Sequence, residues 1–278
     1  ETRKTNNSIS IILIAEKDKK MERDYDFSSK VFFDDLESPK VLGKRAAERV
    51  IKKLGPARVK TGNFPVIFSP RVARSILGHI ASAINGSSVA RGMSFLKDSM
   101  NERIFSKTLN IVDNPHIKKG MGSRLFDGEG IGTKEQKLIH KGVLKNWLLD
   151  ISSGIQLKME TNGNAVRGIS GPPSPGTSNF MILPSNYSQN DLVKSISEGF
   201  FVTELIGSSV SLITGDYSRG AGGFWIKNGK ISNPISEATI AGNLKEMFMQ
   251  IKPANDLDLS YSIASPTLLV ENMVVAGN

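Results

Sequence analysis

The 278-residue sequence holds three histidines, His79, His116 and His140, and no cysteine. The absence of cysteine excludes disulfides, thiolate zinc sites and a cysteine nucleophile, so any metal would rest on His, Asp or Glu. The histidines lie far apart, and none falls in H-E-x-x-H, the helical spacing that sets two imidazoles and a general base on one face. His79 stands at the margin of an apolar helical stripe and reads as a boundary or core histidine with no second ligand beside it. Five carboxylates, Asp113, Asp127, Glu129, Asp150 and Asp216, sit beside Gly, Asn, Pro or strand ends where side chains can converge. If Asp127-Gly-Glu-Gly130 is extended, its two acids share a face and could form a hard-metal site or an acid/base pair. Asp next to Gly is equally ordinary turn chemistry, and both readings stay open at this point.

Other chemistries find less support. Gly120-Met-Gly122 and Gly220-Ala-Gly222-Gly223 lack the strand-before, helix-after setting of a dinucleotide fingerprint, and neither a G-x-x-x-x-G-K-[ST] phosphate loop nor a G-x-S-x-G elbow occurs. With 36 Lys and Arg against 27 Asp and Glu, the formal charge is +9. That excess invites a nucleic-acid reading. Only 7% of residues are aromatic, however, and no aromatic platform interleaves the basic residues, so nucleic-acid binding is disfavoured. Apolar runs such as Ile11–Ala15 and Leu268–Val270 fall far short of the roughly 18 residues of a membrane span.

The elements that must position these residues can be read from spacing. Ser8–Ala15 and Met21–Tyr25 flank a charged turn as a hairpin. After Ser38-Pro39, Leu42, Ala46, Val50 and Leu54 recur at i+4 in a helix closed by Gly55-Pro56. That helix carries Lys44, Arg45, Arg49, Lys52 and Lys53 on its other side, read as a solvated face. Phe64–Phe68 predicts a buried strand, and Val72, Ile76, Ile80 and Ile84 a second helix ending near Gly86. From residue 103 onward, short alternating runs predict mostly antiparallel sheet. Two strands are expected within Leu138–Asp150 about Lys141-Gly142, and a hairpin within Phe224–Ile231 about Asn228-Gly229. Helices fit Leu192–Glu198 and Leu244–Ile251, and strands Leu257–Ile263 and Thr267–Val275. Thr161–Ser178 holds four Gly and three Pro in 18 residues, which predicts a loop and a candidate binding segment. The fold class is α+β: residues 1–60 a hairpin and basic helix, residues 61–278 an antiparallel sheet domain with a few covering helices. A start at Glu1 rather than Met, so close to the first strand, leads to the expectation that the chain is the C-terminal part of a longer protein.

Taken together, Asp24-Tyr-Asp26, Ser94-Phe-Leu96, Asp113-Asn-Pro115, Ser123-Arg-Leu-Phe-Asp-Gly-Glu-Gly130, Thr161-Asn-Gly-Asn164, Thr214-Gly-Asp-Tyr-Ser-Arg-Gly220 with Phe224-Trp225, and Thr239-Ile-Ala-Gly-Asn-Leu244 resemble the TldD/PmbA family, also called modulator of DNA gyrase. The resemblance is to its PmbA (TldE) branch, and it makes residues 1–60 the remnant of an N-terminal or middle region ahead of the family's C-terminal domain. It implies a cytoplasmic pairing with a TldD-like zinc metalloprotease subunit that cleaves peptides, and a homodimer when this chain stands alone. TldD carries H-E-x-x-x-H on a helix. Aligned to Arg71–Asn85, that motif places Gly78, His79 and Ala83 at the ligand, base and ligand positions, so no metal or cofactor is expected on this chain. The resemblance further implies a substrate-binding set of Asp127, Glu129, Asn164, Arg167, Asn179, Tyr217 and Arg219. Two alternatives stand beside it: an autonomous hydrolase using Asp127, Glu129 and Asp216 with a hard metal, and a DNA- or gyrase-associated binding module.

Overall fold

A computed structural model describes residues 3–277. It is a mixed α+β structure with mostly antiparallel sheets, as the patterning predicts. Strands β1 (Asn7–Lys17) and β2 (Lys20–Lys30) form an uninterrupted antiparallel hairpin from Asn7↔Lys30 to Lys17↔Lys20. Its turn residues Asp18 and Lys19 have φ of 52° and 62°, the paired left-handed conformation of a type I′ turn, which matches the twist of the strands. A single 3-10 turn at Phe33–Asp35 leads to α1 (Pro39–Lys52), which starts on Pro at its first position and buries Leu42, Ala46 and Val50.

The reading of α1's basic side as a solvated face is corrected by its contacts. Lys44 does face water, its side chain 78% exposed. Arg45, Arg49 and Lys53, spaced by four, instead form a stripe against β2, where Asp24 and Asp26 alternate onto one face. Arg45 Nε lies 2.7 Å from Asp26 Oδ2 and its Nη1 2.8 Å from Glu37 Oε2. Arg49 reaches both Asp24 and Asp26. Lys53 Nζ sits 2.8 Å from Asp24 Oδ2 and 2.7 Å from Glu204 Oε2.

The described residues that follow build two larger sheets and a two-stranded pairing. Strand β3 (Gly62–Phe68) is followed by α2 (Pro70–Ala83) and the short α3 (Gly86–Ala90). Then come β4 (Ile111–Asp113), β5 (Gln136–His140), β6 (Val143–Leu144), α4 (Ile151–Leu157), β7 (Ala165–Val166), β8 (Ser174–Pro175) and β9 (Phe180–Ile182). The last run is α5 (Gln189–Lys194), β10 (Glu198–Val210), β11 (Asp216–Lys227), β12 (Lys230–Asn243), α6 (Leu244–Gln250), β13 (Lys252–Pro253), β14 (Ile263–Ala264) and β15 (Leu268–Ala276). The larger sheet has the order β12-β11-β10-β3-β15-β13, and a further β12–β15 pairing closes five of its strands into a ring. All its ladders are antiparallel except β10–β3. A second sheet has the order β14-β9-β4-β5-β6. Alternation along the strands sorts the core. Val66, Phe68, Phe200 and Val202 pack with Val72, Ile76 and Ile80 of α2, whereas Ile67, Phe201 and Leu269 pack with Leu192 and Val193 of α5. Among the described residues no helix is long and apolar enough to cross a membrane.

Three expected elements differ in extent. The helix expected at Leu192–Glu198 starts earlier, on a capping box between Ser188 and Asp191, and Glu198 already opens β10. The strand expected at Leu257–Ile263 contributes only Ile263 to β14. Asp258 accepts from Ser260 N–H, a turn bond that competes with an extended ladder, and Asp256 accepts from both the backbone N–H and the hydroxyl of Thr267, which ties the segment to the start of β15. The second strand within Leu138–Asp150 stops at Leu144, and Asp150 instead caps α4.

Asp24 ties the hairpin to the remainder. It is 2% exposed, and Arg71 Nη1 on α2 lies 2.5 Å from its Oδ1. Burial by itself pushes its carboxyl up, but hydrogen bonds from Lys53 and Arg71 more than reverse this and hold it below the ordinary aspartate value. Its stabilising contribution is therefore present at neutral pH and is lost as pH falls below the unfolded value of about 3.9 and through the folded one. Asp24→Asn leaves Arg71 without a carboxylate and removes one partner each from Arg49 and Lys53, and is expected to cost about 3–5 kcal/mol in urea unfolding, with a flatter acid limb of the stability–pH curve. A variant within about 1 kcal/mol of the parent would show the network to be peripheral.

Candidate functional site

Two clusters of polar side chains collect the residues of interest, and no hydrogen bond or ion pair joins them. The first lies between α2 and β11. Tyr217 and Arg219 are two apart on β11 and so share a face, while His79 rides on the flank of α2 next to the stripe that buries Ile76 and Ile80. The His79 ring stands edge-on to the Tyr217 ring, centroids 5.9 Å apart at 78°. His79 Nε2, Tyr217 Oη and Arg219 Nε are all buried with no hydrogen-bond partner. Burial, and secondarily the Arg219 charge, push the His79 imidazole below its ordinary value, so it is neutral at neutral pH. Burial pushes the Tyr217 phenol far above its usual range. The cluster thus offers a phenolic O–H and a guanidinium N–H beside a neutral imidazole, a donor set that suits a carbonyl or carboxylate oxygen.

The second cluster is built on loops around the smaller sheet. Asp127 is 4% exposed. Its Oδ1 accepts the N–H groups of Glu129 and Ile131, both at 2.9 Å, and its Oδ2 accepts that of Ala165 at 3.0 Å. Asp127 and Glu129 are not extended neighbours on one face. The segment turns at Gly130, with φ of 82°, and Glu129 Oε2 accepts from Ile151 N–H at the start of α4, 2.8 Å away. Asn164 is fully buried; its Nδ2 donates to Asp113 Oδ2 at 2.9 Å and its Oδ1 accepts from Gln136 Nε2 at 2.8 Å. Asp113 in turn accepts Ser178 N–H at 2.8 Å, and burial pushes its carboxyl up despite these bonds. Asn179 accepts from Gly122 N–H and donates to the Asn114 carbonyl and Ser123 Oγ. Gly128 is required where it stands, because a Cβ there would meet Arg167 N at 2.9 Å.

The structure therefore brings Asp127 and Asn164 together on the Ala165 turn, with Asn179 on the adjoining loop, and places Tyr217 and Arg219 with His79. Arg167 is exposed and joins neither cluster through its side chain. Thr161–Ser178, expected as a loop, contains the short β7–β8 pairing and is pinned at both ends: by Asn162 to the Trp147 carbonyl and Leu149 N–H, and by Ser178 to Asp113. Its tip leaves Ile169 fully in solvent. On α2, Gly78 and Ala83 carry no donor, and a Cβ at Gly78 would meet nothing within 4 Å, so packing does not demand glycine there. Among the described residues no three His, Cys, Asp or Glu converge to hold a metal ion, and the donor set of α2 does not fit zinc. Asp113, one of the five carboxylates singled out from the sequence, lies beneath Asn164, a pairing that its place in Asp113-Asn-Pro115 does not reveal.

Residues 61–277 match the family model of the PmbA/TldA metallopeptidase C-terminal domain, and residues 1–54 that of the PmbA/TldA metallopeptidase central domain. The chain belongs to the PmbA/TldD family. It is 39% identical to metalloprotease PmbA of Escherichia coli O157:H7, covering 98% of this chain and 59% of that protein. It is 38% identical to the PmbA homolog of Buchnera aphidicola from Acyrthosiphon pisum, over 96% of this chain and 58% of that protein. The PmbA-type chain here thus spans less than two thirds of the relatives it matches. Its fold superimposes with a TM-score of 0.89 on a Bacteroides thetaiotaomicron protein named for modulation of DNA gyrase, at 29% identity over 98% of this chain and 60% of that one. TldE from Thermococcus kodakarensis shares the fold at a TM-score of 0.88 and 22% identity, over 98% of this chain and 63% of that one.

Three substitutions separate scaffold from site in this PmbA/TldD-family chain. Asp127→Asn turns an amide against Ala165 N–H and is expected to cost about 1–3 kcal/mol in urea unfolding, whereas Glu129→Gln keeps its acceptor and stays within about 0.5 kcal/mol. Tyr217→Phe removes a buried hydroxyl that has no partner and is expected to raise stability by on the order of 1 kcal/mol. A fall in the unfolding midpoint of the phenylalanine variant would show that the hydroxyl is bonded in solution.

Proposed function

We propose that this protein is a zinc-lacking, PmbA-type subunit that works in the cytoplasm beside a TldD-like zinc metallopeptidase, holding extended peptide that its partner cleaves in proteolysis or peptide maturation. The observation that carries this reading is the chemistry of α2. In a TldD-type H-E-x-x-x-H helix the ligand places would fall on Gly78 and Ala83, whose side chains have no lone pair to give, and the remaining His79 faces Tyr217 and Arg219 rather than a second ligand. A bound metal in such a peptidase polarises the scissile carbonyl and activates water. This chain's own residues supply binding and orientation instead. Tyr217 O–H and Arg219 N–H are donors for a peptide oxygen, and the neutral His79 beside them brings no competing charge. Strand edges add backbone hydrogen bonds to an extended chain, the general mode by which a sheet captures peptide without reading every side chain.

The carboxylate-hydrolase alternative draws less support, because the Asp127 carboxylate is already engaged by three backbone N–H groups and Glu129 by the start of α4. A nucleic-acid role is weakened by the commitment of Arg45, Arg49 and Lys53 to carboxylates.

The test is a peptidase assay on the intact protein alone and mixed with a TldD-type subunit, with zinc measured in each. Hydrolysis is expected only from the mixture, with zinc only in the TldD-type subunit. Turnover by this protein alone at one bound zinc per chain would overturn the proposal.

A further inference from the structure

A cavity of about 430 Å³ lies between the segments matched by the two family models, and none of the residues assigned above to peptide binding lines it. Its size is that of a small-molecule site, and clefts between domains are where such sites concentrate. Four guanidinium groups reach it: Arg45, Arg49, Arg71 and Arg74. The first three are matched by carboxylates: Arg45 by Asp26 and Glu37, Arg49 by Asp24 and Asp26, Arg71 by Asp24. Among the described residues Arg74 has no carboxylate in ion-pair range. Its Nε donates to the Arg71 carbonyl at 3.4 Å, and its guanidinium carbon sits 3.9 Å from the centre of the Tyr261 ring and 5.9 Å from that of Phe27. Stacking of this kind fixes the plane of a guanidinium while leaving the paired N–H groups of its edge unspent.

The groups around Arg74 point the same way. Ser69, the N-cap of the 14-residue α2, lines the cavity, and its hydroxyl makes no capping hydrogen bond. The helix start adds partial positive charge. Thr203 Oγ1, which also lines the cavity, is buried without a partner. Lys30 lines the same space, bonded to the neutral Ser260. Of the lining carboxylates, Asp26 and Glu37 are held by Arg45, and Asp258 accepts Ser260 N–H at 2.9 Å. Aromatic rings of Tyr25, Phe27, Phe201 and Tyr261 supply apolar walls.

We propose that this cavity binds a carboxylate-bearing ligand, the free C-terminal end of a short peptide, with the Arg74 edge as its bidentate anchor and the aromatic walls receiving the last side chain. The carboxylate assignment stands on the cavity itself; the peptide assignment rests on the peptide-handling reading above.

Calorimetric titration of the intact protein without any partner tests it, using a tetrapeptide with a free C-terminus, the same tetrapeptide as its C-terminal amide, and inorganic phosphate. The free acid is expected to bind about tenfold or more tighter than the amide. Arg74→Met, which keeps an apolar stem against Tyr261, is expected to erase that preference with the thermal midpoint unchanged, and Arg74→Lys to restore part of it. Equal binding of acid and amide, or an Arg74→Met protein that binds the acid as the parent does, overturns the site. Arg74-dependent binding of phosphate with no binding of either peptide overturns the peptide assignment. Because no partner is present, the outcomes separate: Arg74-dependent acid binding with no activity from the TldD mixture leaves the cavity standing and removes the subunit reading, and the reverse pattern does the opposite.

Discussion

Asp24 cannot be buried alone. A carboxylate taken out of water is tolerated only where opposite charge and hydrogen bonds replace its hydration, and the replacements here come from different parts of the fold: Arg49 and Lys53 from the first helix, Arg71 from the second. Lys53 continues the chain of charges to Glu204 on a strand of the closed ring. The N-terminal hairpin and helix are thereby held to the C-terminal part through ion pairs as well as apolar contact. Each member satisfies another, so geometry at one end constrains the other. The cost of losing one partner exceeds what any single surface ion pair contributes, because the charges left behind stay partly buried.

The helix Pro70–Ala83 inherits its placement from that arrangement. Its first turn carries Arg71 into the network and Arg74 onto Tyr261, and its middle carries His79 to Tyr217. One helix thus serves both an inter-segment cavity and a buried polar cluster. The two differ in how their polar atoms are satisfied. Around the cavity Arg45, Arg49 and Arg71 are matched by carboxylates, whereas Arg74 is held by stacking on Tyr261. In the cluster Nε2 of His79, Oη of Tyr217 and Nε of Arg219 are each buried without a hydrogen-bond partner, which costs stability. The Gly-rich loops behave differently again. Asp127, Asn164 and Asn179 stitch backbone to backbone, so those loops are ordered by side-chain hydrogen bonds rather than by regular structure.

Much of the architecture was legible because its signals are local. The i+4 repeats of Leu42–Val50 and Val72–Ile80, Pro at the first helical position, and Asn228-Gly229 between alternating runs each describe a few neighbouring residues, and the corresponding elements formed. Elements misjudged in extent include those where a side chain bonds nearby backbone, as at Asp258 and the Ser188–Asp191 box. The fate of the basic face of the first helix was half-legible. Arg45, Arg49 and Lys53 keep one spacing and Asp24 and Asp26 another, which puts each set on a face, but nothing in either pattern says that the two faces meet.

For the candidate site the division is sharper. Residue type alone determined that Gly78 and Ala83 donate nothing to a metal, since coordination chemistry depends on the atoms a side chain possesses and not on where it sits. The sequence likewise determined the α+β class, the family and the charge excess. Only the tertiary structure decided that Asp127 and Asn164 hold loops together, that His79 meets Tyr217 and Arg219, and that Arg74 is left without a carboxylate while its neighbours are matched. Those facts depend on distances between segments tens to hundreds of residues apart in the chain, and a periodic pattern carries information about a residue's own face and nothing about what is packed against it.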